Sequence, residues 1–556
     1  MLLINVDNLI GDLIVFLPEV VLCVAIIGLL LVRMAGATTH LGSLALAAVL
    51  AALAAQSVMW MTSEIHTEVP AFTGMLVCDP FLMFARFLIL GAAALTIMLS
   101  LLTGIPDRED SGDFNVLLLG GTLGMLLMAS ANHLLMAFMA VEMASLPSYA
   151  LAGFLKGKRQ SSEASLKYVV YGGGASGVML YGISLIVGKF GTGYLPDVAF
   201  GYAAVFNQHA ATGGVDAVLV MGTLFLLIGL SFKLSVVPFH FWCPDVFEGA
   251  AAEIGAFLSV ASKAGAFILT ARVLLTIATT PLLSTDLMIK TFAPPLAFIA
   301  ALTATYGNLA AYPQNNLKRL LAYSTIAHAG YMLMGLAVLN SEGAQAVLFY
   351  LATYVFMNLG AFAIIAFVRN KSGGSEDINA FRGLMYRSPI LAVLMGVFIL
   401  SLLGIPPLAG FVAKFQIFAA VYHAGAAAST PWLANVFFAL LVIGGLNTAF
   451  SAFYYMRIVK AMVFEQPVEA LEGQPVPPLN VSVEATTFIG ALGAVVLAMG
   501  LVVNPVLSAS HFGVRTFAPQ VFVQTPNPPR GGPGRGQPKG QPKAQPKVPA
   551  KGGTTP

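Results

Sequence analysis

The chain has 556 residues, 58% apolar and only 10% charged, with 28 basic and 25 acidic side chains and a net charge of +3. Its mean hydropathy is +0.84. A soluble domain has about 25% charged and roughly 45–50% apolar residues, and a disordered chain combines low hydrophobicity with high charge. Both classes are excluded, and an all-α, polytopic membrane protein remains.

A spanning helix takes about 20 mostly apolar residues. That rule gives 14 spans, at 13–33, 40–61, 80–103, 114–130, 133–155, 164–189, 216–238, 251–279, 289–311, 316–339, 343–369, 389–422, 431–460 and 482–503. Asp7 and Asp12 precede the first run and no basic segment does, so it reads as a retained helix and not as a cleaved signal. Cys23, Cys78 and Cys243 are scattered, which excludes a cysteine-ligated cluster or a disulfide framework within the chain. Arg86 in the third span and Arg272 in the eighth read as structural or interfacial. The 62–79 loop carries Glu64, Glu68 and Asp79 and no Lys or Arg.

Ionisable groups inside apolar runs are expensive and mark function by default. The fifth span holds Glu142, followed by Pro147, which frees the carbonyl of Met143. The sixth opens near Lys167, where snorkelling is the plainer reading. Its Gly172, Gly174 and Gly177 match GxGxxG but lack the preceding strand and the ribose-binding acid, so they predict close helix packing. The seventh span holds Lys233, with Pro238 freeing Leu234. The eighth holds Lys263 and the tenth His328, a lone histidine that reads equally as a satisfied core residue. In the twelfth, Pro406 and Pro407 free Leu402 and Leu403 ahead of Lys414. Broken helices at membrane depth line cavities or pack in protein, and they mark ion paths in transporters. The two breaks paired with lysines lie five spans apart. That spacing suggests inverted five-helix repeats, spans 4–8 and 9–13.

Basic residues in short loops set orientation. One alternate set of loops carries Arg33, Arg108, Lys156, Lys158, Arg159, Lys318, Arg319, Arg369, Lys371, Arg382, Arg387, Arg457 and Lys460, and the other has little beyond Lys189 and Lys290. The basic set predicts the cytoplasmic side, with both termini periplasmic. From 525 to 556 the chain has nine prolines, six basic residues and no acid, and repeats QPK. That tail predicts disorder, as a solvated extension or a contact for anionic lipid or a partner. Its charge carries the sign of the whole chain and gives no sign of nucleic acid binding.

Burial makes an amine's proton easy to lose, and a nearby carboxylate holds it in place. One glutamate and several lysines in a dry interior therefore titrate as a linked set. Those are the requirements of a proton relay. No constellation for hydrolysis or nucleophilic catalysis accompanies them.

The stretches EASLKYVVYGGGASGVMLYG (163–182), GLSFKLSVVPFHFWCPDVFEGA (229–250), YGNLAAYPQNNLKRLLAYSTIAHAGYMLMG (306–335), FYLATYVFMNLGAFAII (349–365), FILSLLGIPPLAGFVAKF (398–415) and NTAFSAFYYMRIV (447–459) are recognisable. Over roughly 80–465 the chain resembles the antiporter-like membrane subunits of proton-pumping NADH:quinone oxidoreductase, respiratory complex I, and among them the N type. The resemblance implies 14 helices, with breaks in the seventh and twelfth. It implies an acid–base pair Glu142–Lys233, a central Lys263 and a terminal Lys414, with His240 and His328 nearby. The M type has glutamate at the Lys414 position. The prolines of the tail forbid the long lateral helix of the L type.

The implied domains are 1–112 (three helices), 113–280 and 281–465 (the repeats), 466–510 (the last helix) and 511–556 (the tail). Cofactors are implied only in partner subunits: NADH, FMN, iron–sulfur clusters and quinone. The implied partners are other membrane-arm subunits, including the M type and small K-, J- and A-type subunits, with lipid, in a bacterial inner membrane. A cation/proton antiporter or membrane-hydrogenase subunit is the second reading, and a membrane scaffold the third. One departure stands out. Where the family reads GAPTPV, this chain has GAAAEI at 249–254. That puts the start of the eighth helix in doubt and adds Glu253 as a candidate titratable group near a cytoplasmic entrance.

Overall fold

The computed structural model describes residues 6–36, 39–62, 68–106, 110–212, 214, 216–280, 285–467 and 478–517. Among the described residues, twelve helices are long and apolar enough to cross a membrane: Leu17–Met34, Leu41–Thr62, Pro80–Thr103, Ser111–Ser130, Leu134–Ala152, Arg159–Phe190, Ala217–Leu234, Ala252–Ala278, Leu287–Ala311, Ser341–Lys371, Pro431–Val463 and Val483–Leu501. The tenth and twelfth of the fourteen sequence spans are also present. Leu317–Leu336 is diluted by Lys318, Arg319 and His328. The twelfth span is two helices, Pro389–Leu403 and Ala409–Ala426, joined through Gly404–Leu408.

Several elements escape the apolar-run rule. A helix at Leu195–Thr212 follows the sixth span, too polar to read as a crossing. A hairpin pairs Val69–Ala71 with Leu76–Cys78. After the last span, a helix at Asn504–Gly513 runs into a turn at Val514–Phe517. Val514 and Phe517 are buried, and Phe517 meets Phe81 edge-on at 5.2 Å. The start of the expected tail, 511–517, is therefore folded, and its remainder lies outside the described residues.

Every residue from Ala252 to Leu275 is buried, so the eighth span has no lipid-facing side. It sits at the centre with the eleventh, while the first two spans expose most of their surface. Small residues set how near the spans approach. A Cβ on Gly182 of the sixth would meet the Leu226 nitrogen of the seventh at 2.6 Å. Such contacts bring backbones together where lipid offers no hydrophobic drive.

Two buried ion pairs tie spans together, the first to the third and the third to the eighth. Arg86 donates to both oxygens of Glu19 at 2.8 Å, and also to Gln56 and the Val15 carbonyl. Arg272 donates to both oxygens of Asp79 at 2.8 and 2.9 Å and to the Ala129 carbonyl at 2.8 Å. The sequence reading of both arginines as structural agrees with this. Asp79 does not belong to a solvated acidic loop. It is fully buried and caps the third span by accepting from the Leu82 amide at 2.8 Å.

Removing one partner of a buried pair strands the other charge. Arg272→Ala is expected to cost about 3–5 kcal/mol, and Arg33→Ala, whose pair with Asp113 is part-exposed, about 0–1 kcal/mol. Thermal unfolding of the two variants in detergent checks that order.

Candidate functional site: buried polar groups along the spans

The seventh span breaks where its helix ends. Ala217–Leu234 stops at Ser235, which takes a left-handed conformation with φ 57°, and a short helix resumes at Trp242–Gly249. The turn is held by the Trp242 indole, which donates to the Phe232 carbonyl at 3.0 Å, and by Thr303, whose hydroxyl accepts from the Val237 amide at 3.1 Å. Lys233 sits in the last turn before the break and is 2% exposed. Among the described residues no group accepts from its Nζ, which lies 6.0 Å from the ring centres of both Tyr149 and Tyr168.

Glu142 is half-buried, and its carboxylate accepts from the Ser176 hydroxyl of the sixth span. It makes no ion pair with Lys233, so the acid–base pair implied by resemblance is not in direct contact. Pro147 does not break the fifth span either, because Leu134–Ala152 runs through it. Its ring lies beside Gly120 and Gly121 of the fourth span.

In the eighth span a π-helical turn, Leu258–Ser262, immediately precedes Lys263. Such wide turns occur mostly at functional sites. Lys263 Nζ donates to the Thr325 carbonyl of the tenth span at 3.1 Å. The Thr325 hydroxyl accepts from Tyr354 at 3.0 Å. One turn on, His328 is clamped by two hydroxyls, Tyr350 on Nδ1 at 2.6 Å and Tyr455 on Nε2 at 3.1 Å. Tyr455 also bonds Ser324 at 2.5 Å. His328 is thus a bridging group within a belt of tyrosines, and each ring nitrogen has a partner.

The twelfth span behaves as its prolines predict. Lys414 Nζ donates at 2.9 Å to the Leu403 carbonyl, one of the two that the prolines release. The ammonium also lies 4.7 Å above the Tyr331 ring. Gly404, with φ 93°, makes the turn, and the Ser401 hydroxyl accepts from the Gly410 amide at 3.1 Å. In the seventh span the helix ends at Leu234, four residues before Pro238, and the carbonyl given a side-chain donor is that of Phe232. His240, in that break, is 2% exposed and packs on Tyr306 at 4.3 Å.

The other candidate charges are matched. Glu253 is fully buried and receives Arg369 at 3.1 and 3.4 Å, so it is a structural partner and not a free group at an entrance. The eighth helix starts at Ala252 without the family's prolines, from an extended Ala251. Lys318 does not sit in a solvated loop. It is 2% exposed, pairs with Glu376 at 2.8 Å and donates to the Ala250 carbonyl at 2.6 Å. Lys167 pairs with Glu163 and Asp245 at 2.8 and 2.7 Å and does not simply snorkel. Among the described residues no three His, Cys, Asp or Glu side chains gather as a metal site.

The family described as "NADH:quinone oxidoreductase/Mrp antiporter, TM" matches residues 131–456. A curated relative, NADH-quinone oxidoreductase subunit N of Anaeromyxobacter sp. (strain Fw109-5), is 41% identical over 80% of this chain and 86% of its own. The subunit N of Rhodospirillum rubrum is 38% identical over 86% and 93%. Among solved structures, a chain of respiratory complex I from Thermus thermophilus with bound aureothin superposes with a TM-score of 0.71 at 32% identity, covering 89% of this chain and all of that one. A chain of the Mrp complex from Dietzia sp. DQ12-45-1b reaches a TM-score of 0.76 at 20% identity, covering 92% and 98%, and shares the fold.

The break in the twelfth span depends on glycine at 410, since a Cβ there collides with the Ser401 carbonyl, a backbone atom. Gly410→Ala is expected to lower the thermal midpoint clearly, and Gly445→Ala, which faces open space, to leave it unchanged. Melting curves of both in detergent decide this.

Proposed function

Since this chain belongs to the N-type antiporter-like membrane subunits of NADH:quinone oxidoreductase, we propose that it moves protons through Lys233, Lys263 and Lys414, with Glu142 as the charge that controls the first of them. The carrying observation is a contrast among buried cations. Arg86, Arg272, Arg369 and Lys318 each hold a carboxylate. Among the described residues, Lys263 and Lys414 hydrogen-bond only to a backbone carbonyl, and Lys233 has no acceptor. A paired charge is fixed, whereas an amine without an acid is free to change protonation state.

Redox events in partner subunits alter the charge beside Glu142. Glu142 then acts on Lys233 through space, since the two do not touch. In a poorly polarisable interior such coupling over several ångströms is strong. The proton passes to Lys263, and onward by way of His328 and its tyrosine hydroxyls to Lys414. His240 is a further candidate beside the first break. Each proton moved outward works against about 2.3 kcal/mol per 100 mV.

The same reading assigns NADH, FMN, iron–sulfur clusters and quinone to partner subunits, and the M-type and small K-, J- and A-type subunits as neighbours. It places the chain in a bacterial inner membrane with both termini periplasmic. It also takes 113–280 and 281–465 as the two inverted repeats.

Alanine at Lys233, Lys263 or Lys414, in the assembled complex reconstituted in vesicles, is expected to lower protons moved per NADH oxidised. Subunit content is measured first, because failed assembly mimics failed pumping. Wild-type pumping in all three assembled variants would falsify the relay.

A further inference from the structure

The eighth span enters Lys263 through the π-helical turn Leu258–Ser262. Such turns are rare, because the tighter α-helical bonding competes for the same backbone groups. The turn decides where Lys263 points. Were these residues to close up as α-helix, Lys263 would rotate by about 100° relative to Ala252–Phe257, the angle of one residue. It would then face away from the tenth span, so whatever holds the wide turn also aims the amine.

A hydrogen bond from the eleventh span reaches the turn. Asn358 Nδ2 donates to the Ser259 hydroxyl at 2.6 Å, and Ser259 donates in turn to the Ala256 carbonyl of its own helix at 2.8 Å. Both side chains are fully buried. A hydroxyl has one proton to give. That of Ser259 is committed to Ala256, so Ser259 accepts from Asn358 and the amide has to present its nitrogen.

The far end of the Lys263 contact is built the same way. Lys263 Nζ donates to the Thr325 carbonyl at 3.1 Å. The Thr325 hydroxyl donates to the Leu321 carbonyl of its own helix at 2.6 Å and accepts from Tyr354 at 3.0 Å. Tyr354 and Asn358 are four apart and share one face of the eleventh span. Phe362 continues that face. A Cβ on Gly255 would meet its ring at 3.0 Å, so glycine there lets the eighth and eleventh spans close.

We propose that Asn358 is a positioning residue for Lys263: through Ser259 it holds the π-helical turn that aims the amine at the Thr325 carbonyl, while Tyr354 on the same face steadies the residue that accepts it. The inference rests on the reading of Lys263 as a relay group. An amide does not ionise, so Asn358 acts on geometry alone and carries no proton itself. The eleventh span, which contributes no relay lysine, thereby sets the contact from which Lys263 works.

The test uses the assembled complex in sealed vesicles, with protons moved per NADH and uncoupled NADH oxidation read on the same sample. Ser259→Ala and Asn358→Leu are each expected to lose protons per NADH, as Lys263→Ala does, with subunit content and uncoupled oxidation kept. A merely structural loss would lower oxidation as well. The double variant is expected to lose no more than the worse single one, since both changes remove one contact. Thr270→Val, whose hydroxyl bonds the Ala266 carbonyl of its own helix, is expected to match wild type. Wild-type ratios in Ser259→Ala and Asn358→Leu beside a lowered ratio in Lys263→Ala would overturn the positioning role and leave the relay standing. Losses that add in the double variant would also overturn it. A wild-type ratio in Lys263→Ala would overturn the relay itself. Should Asn358→Leu fail to assemble, Ser259→Ala, which removes a single buried oxygen, decides alone.

Discussion

A lysine withdrawn from water must be matched by an acid, held by neutral dipoles, hydrated or discharged, and the fold is organised by which of these each buried cation receives. Carboxylates match Arg86, Arg272, Arg369 and Lys318, and those four tie spans to one another. Dipoles hold Lys263 and Lys414. A carbonyl stabilises an ammonium without fixing its proton, because it can accept a hydrogen bond from the charged or the neutral amine alike. The same chain thus contains charges that brace it and charges that are free to work.

The backbone irregularities make the second group possible. An intact helix offers no spare carbonyl at membrane depth. The proline break in the twelfth span releases Leu403 to Lys414. A π-helical turn leads directly into Lys263. The break in the seventh span ends the helix one residue after Lys233 and leaves it facing two aromatic rings. Around them the eighth span, buried on all sides, keeps lipid away from the line of polar groups.

Much of this is legible in the sequence, for reasons that can be named. Twenty-residue apolar runs announce spans because a bilayer has one thickness. Lys233, Lys263 and Lys414 stand out because charge is scarce around them. Partners are harder to read, because Glu19 and Arg86 lie 67 positions apart and only the fold joins them. Tyr350, Tyr354 and Tyr455 are invisible to a hydropathy count, which scores them as apolar although their hydroxyls surround His328 and Thr325. Spacing held a clue that composition did not, since Tyr350 and Tyr354 are four apart and share a helix face. Proline is ambiguous without its neighbours. Pro147 lies within a continuous helix, whereas Pro406 and Pro407 sit in a turn. The loop reading of Asp79 and Lys318 fails for a related reason: both stand at span ends, and packing there folds them inward.

The central claim is that these lysines work by changing protonation and not by supplying fixed positive charge. Arginine separates the two, because its guanidinium stays protonated. The direct measurement is the number of protons moved per NADH oxidised by an assembled Lys263→Arg complex in sealed vesicles. A ratio well below wild type, with charge and assembly kept, is the predicted result. A wild-type ratio would show that a permanent charge at 263 suffices, and it would contradict the account.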